Sequence, residues 1–323
     1  MSDSSAGSLS RVVLFHRDFR AFTGGHLKVW NYFNHVSSAP GYTAQIFFTP
    51  ESKWDLTNPW FRSQNALATT WQPEKADILF LAGMDWRAVP AAERNKSTRP
   101  IINFIQHPRH AEPRSELRSF LKHRAIRICV SQEVADAIQA TGEVNGPVFT
   151  IPNGIDLSLF PASKPWAERS TELLICGLKA PELARLAYTR FAGSNRVVRW
   201  LIEWIPRKDY LTRMADAKIT LFLPRRSEGF YLPPLEGMAC GTVVVCPDCV
   251  GNRSFCIDRL NCFRPEHEAE KIFNDVKGAL GQSAESREQM LVEAERTVQA
   301  HSLEGEREAF VEILGRIEEL WPG

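Results

Sequence analysis

The chain is predicted to be an α/β protein with two doubly wound halves, each a parallel sheet covered by helices on both faces. Three observations predict it. Short β-branched, apolar runs alternate with stretches of helical spacing along most of the chain. The alternation breaks once, at NGIDLSLFPASKPWAERS (153–170), whose prolines and serines carry no sustained period and read as a linker. The length, 323 residues, fits two domains of roughly 150 residues each.

RVVLF (11–15) reads as the first buried strand, and GGHLKVWNYFNHV (24–36) as the helix after it. TAQIFFT (43–49), ADILFLA (76–82), PIINFIQ (100–106), AIRICV (125–130) and PVFTIP (147–152) are further short strands. Between the last two, SQEVADAIQATG opens on Ser131, a good N-cap, and ends at Gly142, a good C-terminal stop. Past the linker the pattern restarts. TELLICG (171–177), VVRWLI (197–202), KITLFLP (218–224) and TVVVCP (242–247) read as strands. APELARLAYTRFA (180–192), RKDYLTRMADA (207–217) and PPLEGMAC (233–240) read as helices, the first and last with proline in the opening turn. From about residue 266 the chain is helical and ends in an amphipathic stretch, 304–321. The division expected is a disordered start (1–10), a first domain (11–155), a second (156–303), and a terminal helix (304–323) crossing back to the first.

Bulk properties narrow the function. A net charge of +1 argues against a dedicated nucleic-acid binder. With 44% hydrophobic and 24% charged residues, the composition is that of a globular protein with a sizeable core. The small polar start MSDSSAGSLS is no secretory signal, and no apolar run nears the ~20 residues needed to span a bilayer. A cytoplasmic protein is expected. Seven cysteines, an odd number spread over both halves, suit buried free thiols better than a disulfide framework or a zinc site.

Chemistry gathers in the loops after strands, where doubly wound sheets bind ligands. Gly24 and Gly25 open a helix and let backbone N–H groups approach a phosphate, though a plain turn accounts for them equally. No G-x-G-x-x-G and no P-loop pattern is present. His107 stands just past a strand that Pro108 stops, placed to bond a sugar hydroxyl. Lys179 lies between a strand and a helix, where an ammonium can meet a leaving diphosphate. RRSEGFYLPPLEGMACG (225–241) carries the strongest signal: Glu228 at the mouth of a strand, Glu236 near the start of a helix, and Gly229, Phe230, Tyr231 and Leu232 between them. Amides there suit phosphate oxygens, and carboxylates suit ribose or sugar hydroxyls.

Within EGFYLPPLEGMACGTVVV, Glu228 and Glu236 with seven residues between them closely resemble the E-x7-E motif of retaining glycosyltransferases of family four, which have the GT-B fold. IPNGID (151–156) resembles the entry to that family's second domain, and the likeness covers most of residues 11–280. The resemblance implies two Rossmann-like domains facing across a cleft. It implies that Glu236 holds the ribose of a nucleotide and Glu228 the transferred sugar. The backbone of Gly229, Phe230, Tyr231 and Leu232 would help bind phosphate or sugar. Lys179 would stabilise the leaving diphosphate, Gly24 and Gly25 would lie against it, and His107 would touch the donor sugar. The family often places an arginine ahead of the lysine in the loop of Lys179; here Leu178 follows Gly177, so Arg225 or Arg226 is the alternative cation.

The expected function is transfer of a sugar, with retention, from a nucleotide diphosphate sugar to a glycan, lipid-linked or small-molecule acceptor, as in polysaccharide biosynthesis. No D-x-D triplet occurs, so neither metal nor other cofactor is expected. The rivals are a nucleotide-sugar epimerase or hydrolase of the same architecture and an inert sugar-nucleotide-binding protein. RSELRSFLKHR (114–124) interleaves basic residues with Leu117, Phe120 and Leu121. Such a stretch suits peripheral contact with an anionic inner membrane surface, or a solvated amphipathic helix.

Overall fold

Runs such as Ile78–Ala82 and Ile101–Ile105 are buried at every residue, the pattern of strands covered on both faces of a parallel sheet. The computed structural model describes residues 10–95, 97–193 and 195–322. The expected disordered start thus lies outside the described residues, Ser10 excepted. The chain divides into two units. One holds the residues up to Ile151 together with those from Glu306 on, and the other holds Pro152–Gly305.

In the first unit six parallel strands, β1 (Arg11–Arg17), β2 (Tyr42–Phe48), β3 (Ile78–Ala82), β4 (Ile101–Ile105), β5 (Ile126–Cys129) and β6 (Val148–Thr150), stand in the order β2-β1-β3-β4-β5-β6. The order in which strands are added reverses between β1 and β3, so the loops after these two parallel strands part and open a crevice at their carboxyl ends. The helices are α1 (Gly24–Ser38), α2 (Glu116–Ser119) and α3 (Gln132–Gln139). Thr23 caps α1 and Ser131 caps α3, each hydroxyl accepting the amide three residues on. The α3 helix stops at Ala140, and Gly142 takes the left-handed conformation (φ +66) two residues later.

The basic stretch 114–124 departs from the lipid-facing expectation. Leu117, Phe120 and Leu121 are buried, so it offers them to no membrane. The fully buried Arg127 holds the stretch from below, donating to the carbonyls of Phe120, Leu121 and His123 at 3.2, 2.9 and 2.6 Å. Two of those carbonyls also accept backbone N–H groups, Phe120 from His123 at 3.2 Å and Leu121 from Asn145 at 3.0 Å, so Arg127 adds a second bond to each.

In the second unit β7 (Thr171–Cys176), β8 (Val198–Leu201), β9 (Ala217–Phe222) and β10 (Val243–Val245) are all parallel, in the order β10-β9-β7-β8. Its switch point falls between β7 and β9. Helices α4 (Pro181–Ala192), α5 (Arg207–Ala215), α6 (Leu232–Ala239), α7 (Ala269–Leu280) and α8 (Ala284–Ala300) cover the sheet. At Gly237 of α6 a Cβ would stand 2.7 Å from the Phe222 ring, so glycine sets how closely α6 lies on β9.

The expected linker 153–170 is part of this unit. Ile155 bridges to Ser302, and the buried Arg169 donates to the Ala217 carbonyl at 2.7 Å and the Ser163 hydroxyl at 2.7 Å. The single terminal helix expected over 304–323 is instead two, α9 (Leu303–Gly315) and α10 (Ile317–Leu320), broken at Arg316. From Glu306 on these belong to the first unit. Glu306 is buried against α1, paired with Lys28 and with His35 at 3.0 Å. Tyr42 donates to the Leu314 carbonyl at 2.7 Å. No described helix is long and apolar enough to cross a membrane.

Candidate active site

The loops after β7 and β9 meet across the switch point of the second unit. Lys179, three residues past β7, sends its ammonium to Glu228 Oε2 at 2.6 Å. The same ammonium lies 5.1 Å from the centroid of the Tyr231 ring, within cation–π range. Glu228 Oε1 accepts the Arg225 N–H at 3.3 Å, so the carboxylate is held by its own turn on one side and by Lys179 on the other. Glu228 is largely shielded (side chain 12% exposed) and Lys179 is more open (41%).

The turn from 228 to 232 is anchored by Gly251. Tyr231 N–H donates to the Gly251 carbonyl at 2.8 Å, and a Cβ on Gly251 would come within 2.8 Å of that nitrogen and 3.0 Å of the Glu228 carbonyl carbon. This corrects one expectation: of the amides at Gly229, Phe230, Tyr231 and Leu232, that of Tyr231 is already spent within the protein. The Pro233–Pro234 pair removes two further N–H groups from the first turn of α6. The Phe230 ring stacks on Phe255 at 5.0 Å and fastens the turn to the core.

Glu236 is the fifth residue of α6, which starts at Leu232, one residue before the expected start at 233. It is 4% exposed, and its Oε1 takes the Arg207 guanidinium at 2.7 Å. Arg207 opens α5, in the loop side after β8, and was missed in the sequence. The signal was there: α5 follows a strand as the other site loops do, and Pro206–Arg207 marks its first turn. Lys179, Arg207, Glu228 and Glu236 are therefore two cation–carboxylate pairs at the carboxyl ends of β7, β8 and β9. Of the alternative cations, Arg226 donates to the His267 carbonyl at 2.7 Å and lines a polar cavity of about 320 Å³ with Asp248, Arg264 and His267. Arg225 is exposed and reaches Glu228 through its backbone. Lys179 is the one of the three whose side chain meets Glu228.

The remaining expected residues lie in the first unit. Gly24 and Gly25 are the first two residues of α1; around Gly24 a Cβ would meet nothing within 4 Å, while the Gly25 carbonyl accepts from Gln106 at 3.3 Å. His107 caps a short 3-10 turn, its Nδ1 accepting the Arg109 N–H at 3.1 Å. In the neutral ring the proton is thus on Nε2. All seven cysteines are buried thiols, and burial pushes Cys176, Cys240 and Cys249 up to about 12. Among the described residues no three His, Cys, Asp or Glu side chains gather as a metal cluster.

Residues 155–297 match the model of the family described as glycosyl transferases group 1. That segment contains both ion pairs. Solved structures match nearly the whole chain in fold. The sucrose-phosphate synthase of Thermosynechococcus elongatus superposes with TM-score 0.71 at 13% identity, over 96% of this chain and 99% of that one. Anabaena HepE in complex with UDP and glucose gives 0.73 at 13% identity, over 94% and 99%. The lipopolysaccharide outer core galactosyltransferase WaaB gives 0.63 at 14%, over 94% and 99%. At such identities the likeness shows the fold, two Rossmann-like units of the GT-B class. No curated protein sequence matches the chain.

Proposed function

We propose that the chain is a retaining, metal-independent glycosyltransferase that moves a sugar from a nucleotide diphosphate sugar to an acceptor hydroxyl. The observation that carries this is the double cation–carboxylate layout at 2.6 and 2.7 Å inside the segment matched by the family model. Glu236, its Oε1 held by Arg207, presents its other oxygen to the ribose. Glu228 receives the sugar, and Lys179 exchanges Glu228 for the diphosphate. The sugar–oxygen bond to the diphosphate breaks with its electron pair on phosphate, and Lys179 stabilises that charge as it develops. The acceptor oxygen bonds the anomeric carbon, and its proton ends on the departing diphosphate. HepE was solved with UDP-glucose, which makes UDP-sugars the first donors to try.

The test is release of nucleoside diphosphate from UDP-, GDP-, ADP- and dTDP-sugars, with thermal shift against the matching diphosphates. One diphosphate should raise Tm through binding to the native state. Turnover should persist in EDTA and be lost in Glu236→Ala with its fold intact. Binding of none of the four would overturn the donor reading. Loss of turnover on chelation would overturn metal independence.

A further inference from the structure

The first unit has a charged switch point of its own. Strands β1 and β3 pair with Phe15 opposite Phe80, so the last residues of β1 reach the loop after β3. There His16 Nδ1 and Arg17 Nη2 both meet Asp85 Oδ1, each at 3.3 Å, while Asp85 Oδ2 accepts the Ala82 N–H at 2.9 Å. Asp85 is 4% exposed and its oxygens are engaged. The Arg17 guanidinium is not: it spends one long bond on Asp85, and its Nε is buried without a partner. His26, in the first turn of α1, also has its Nδ1 buried without a partner. Burial, and then the Arg17 charge, lower the His26 pKa to about 4, so it brings a hydrogen-bonding atom and no charge.

Aromatic rings flank these groups. Trp71 and Phe47 lie 4.9 and 5.7 Å from the His16 ring, and the Trp71 indole is fixed by its bond to the Ala88 carbonyl at 2.8 Å. Phe19 packs on His26 at 4.9 Å. A guanidinium with unused donors presents a fork suited to phosphate or carboxylate. A half-buried ring beside it suits the C–H face of a sugar. Both stand where the sheet's topology opens its crevice.

We propose that the rim formed by His16, Arg17, Asp85, Trp71 and Phe47 binds a sugar carrying a phosphate or a carboxylate. Arg17 takes the anion, held in place by Asp85, and the aromatic rings take the sugar ring. This names the acceptor class for the transfer proposed above, and it rests on that reading only in calling the ligand an acceptor.

Calorimetry on the full chain tests it with glucose 6-phosphate, glucuronate, glucose and UDP as probes. At least one anionic sugar should bind about 10-fold or more tighter than glucose. Arg17→Gln should erase that preference and leave UDP affinity within about 2-fold, while Arg17→Lys should keep part of the preference. Anionic sugars that bind no better than glucose would overturn the site. So would a preference surviving in Arg17→Gln. A parallel loss of UDP binding would assign Arg17 to the donor diphosphate instead. Absence of UDP binding to the unmodified chain strikes the donor reading alone, since the sugar arm is read separately. Should Arg17→Gln fail to fold, the Trp71 indole resonance, assigned with Trp71→Phe, carries the test. It should shift with glucose 6-phosphate and not with UDP, and no shift overturns the proposal.

Discussion

Arg207 and Glu236 should be energetically coupled, and both should govern nucleotide affinity. Arg207→Gln removes the 2.7 Å partner of a carboxylate that is 4% exposed. A fully buried pair broken on one side costs about 3–5 kcal/mol, and an exposed one about 0–1. The Arg207 side chain is 33% exposed and that of Glu236 5%, which places the pair between these limits. Arg207→Gln should therefore destabilise the protein by about 2 kcal/mol. Glu236→Gln keeps the shape, and the double variant should recover about 1–2 kcal/mol of the summed loss, inside the range of about 0.5–3 kcal/mol for residues in contact. Urea unfolding of the four proteins, with midpoints compared at constant m, measures it. In parallel, Glu236→Gln should weaken the bound diphosphate about 10-fold or more, and Arg207→Gln about 5-fold, or ~1 kcal/mol. A coupling below about 0.3 kcal/mol would refute the positioning argument, since that is the additivity of independent sites.

Three further outcomes are expected. Gly251→Ala sets a Cβ against backbone atoms at 2.8 and 3.0 Å. It should cost about 1–3 kcal/mol by overpacking and weaken diphosphate binding; unchanged binding by calorimetry would separate the turn from the site. Glu306→Gln takes the charged partner from the buried Lys28, so a loss of about 3–5 kcal/mol is expected in urea unfolding, and a loss under about 1 would contradict the pairing. Burial first, with nearby Arg109 and Arg127, lowers His110 from 6.5 to about 3. Between these values the unfolded chain binds a proton that the folded chain refuses, so stability falls as pH drops from 6.5 towards 3. The slope is about 1.4 kcal/mol per pH unit. His110→Gln should remove that slope; parallel curves between pH 6 and 4 would overturn it.

The central strands β3 and β4 were legible because burial on both faces makes each an unbroken apolar run. Glu228, Glu236 and Lys179 could be singled out as candidates because each lies in, or one turn beyond, a loop that follows a strand's carboxyl end. What escaped was what depends on a partner far along the chain. Nothing local in PRKD marks Arg207 as the partner of Glu236, 29 residues on. The spacing of Leu117, Phe120 and Leu121 reads alike for a lipid-facing and a core-facing helix. Arg127, buried on β5, decides it by donating to the carbonyls of Phe120 and Leu121. The linker at 153–170 looked loose because its order comes from Arg169, whose bonds reach Ala217 and Cys240.

The two units use one electrostatic device. In each, a cation from the loop or end of the first strand meets a carboxylate from beyond the strand across the switch point: Arg17 with Asp85 after β1 and β3, Lys179 with Glu228 after β7 and β9. Without ligand each carboxylate keeps its cation from standing unpaired in a partly shielded crevice. An arriving anion must compete with that carboxylate, so the pair lowers affinity for any anion while fixing the cation's place. The geometries differ in a way that sets how easily each yields. The Lys179 contact is 2.6 Å and uses a single ammonium with freely turning donors, so an arriving anion, the diphosphate of the proposed donor, would take it over by rotation about a flexible stem. The Arg17 contact is 3.3 Å and leaves the rest of the fork unspent, so an anion can be added without Asp85 letting go. On the proposed function the second unit would exchange partners, which suits a group whose charge grows during reaction, and on the proposed acceptor site the first would add a ligand that is held and oriented throughout.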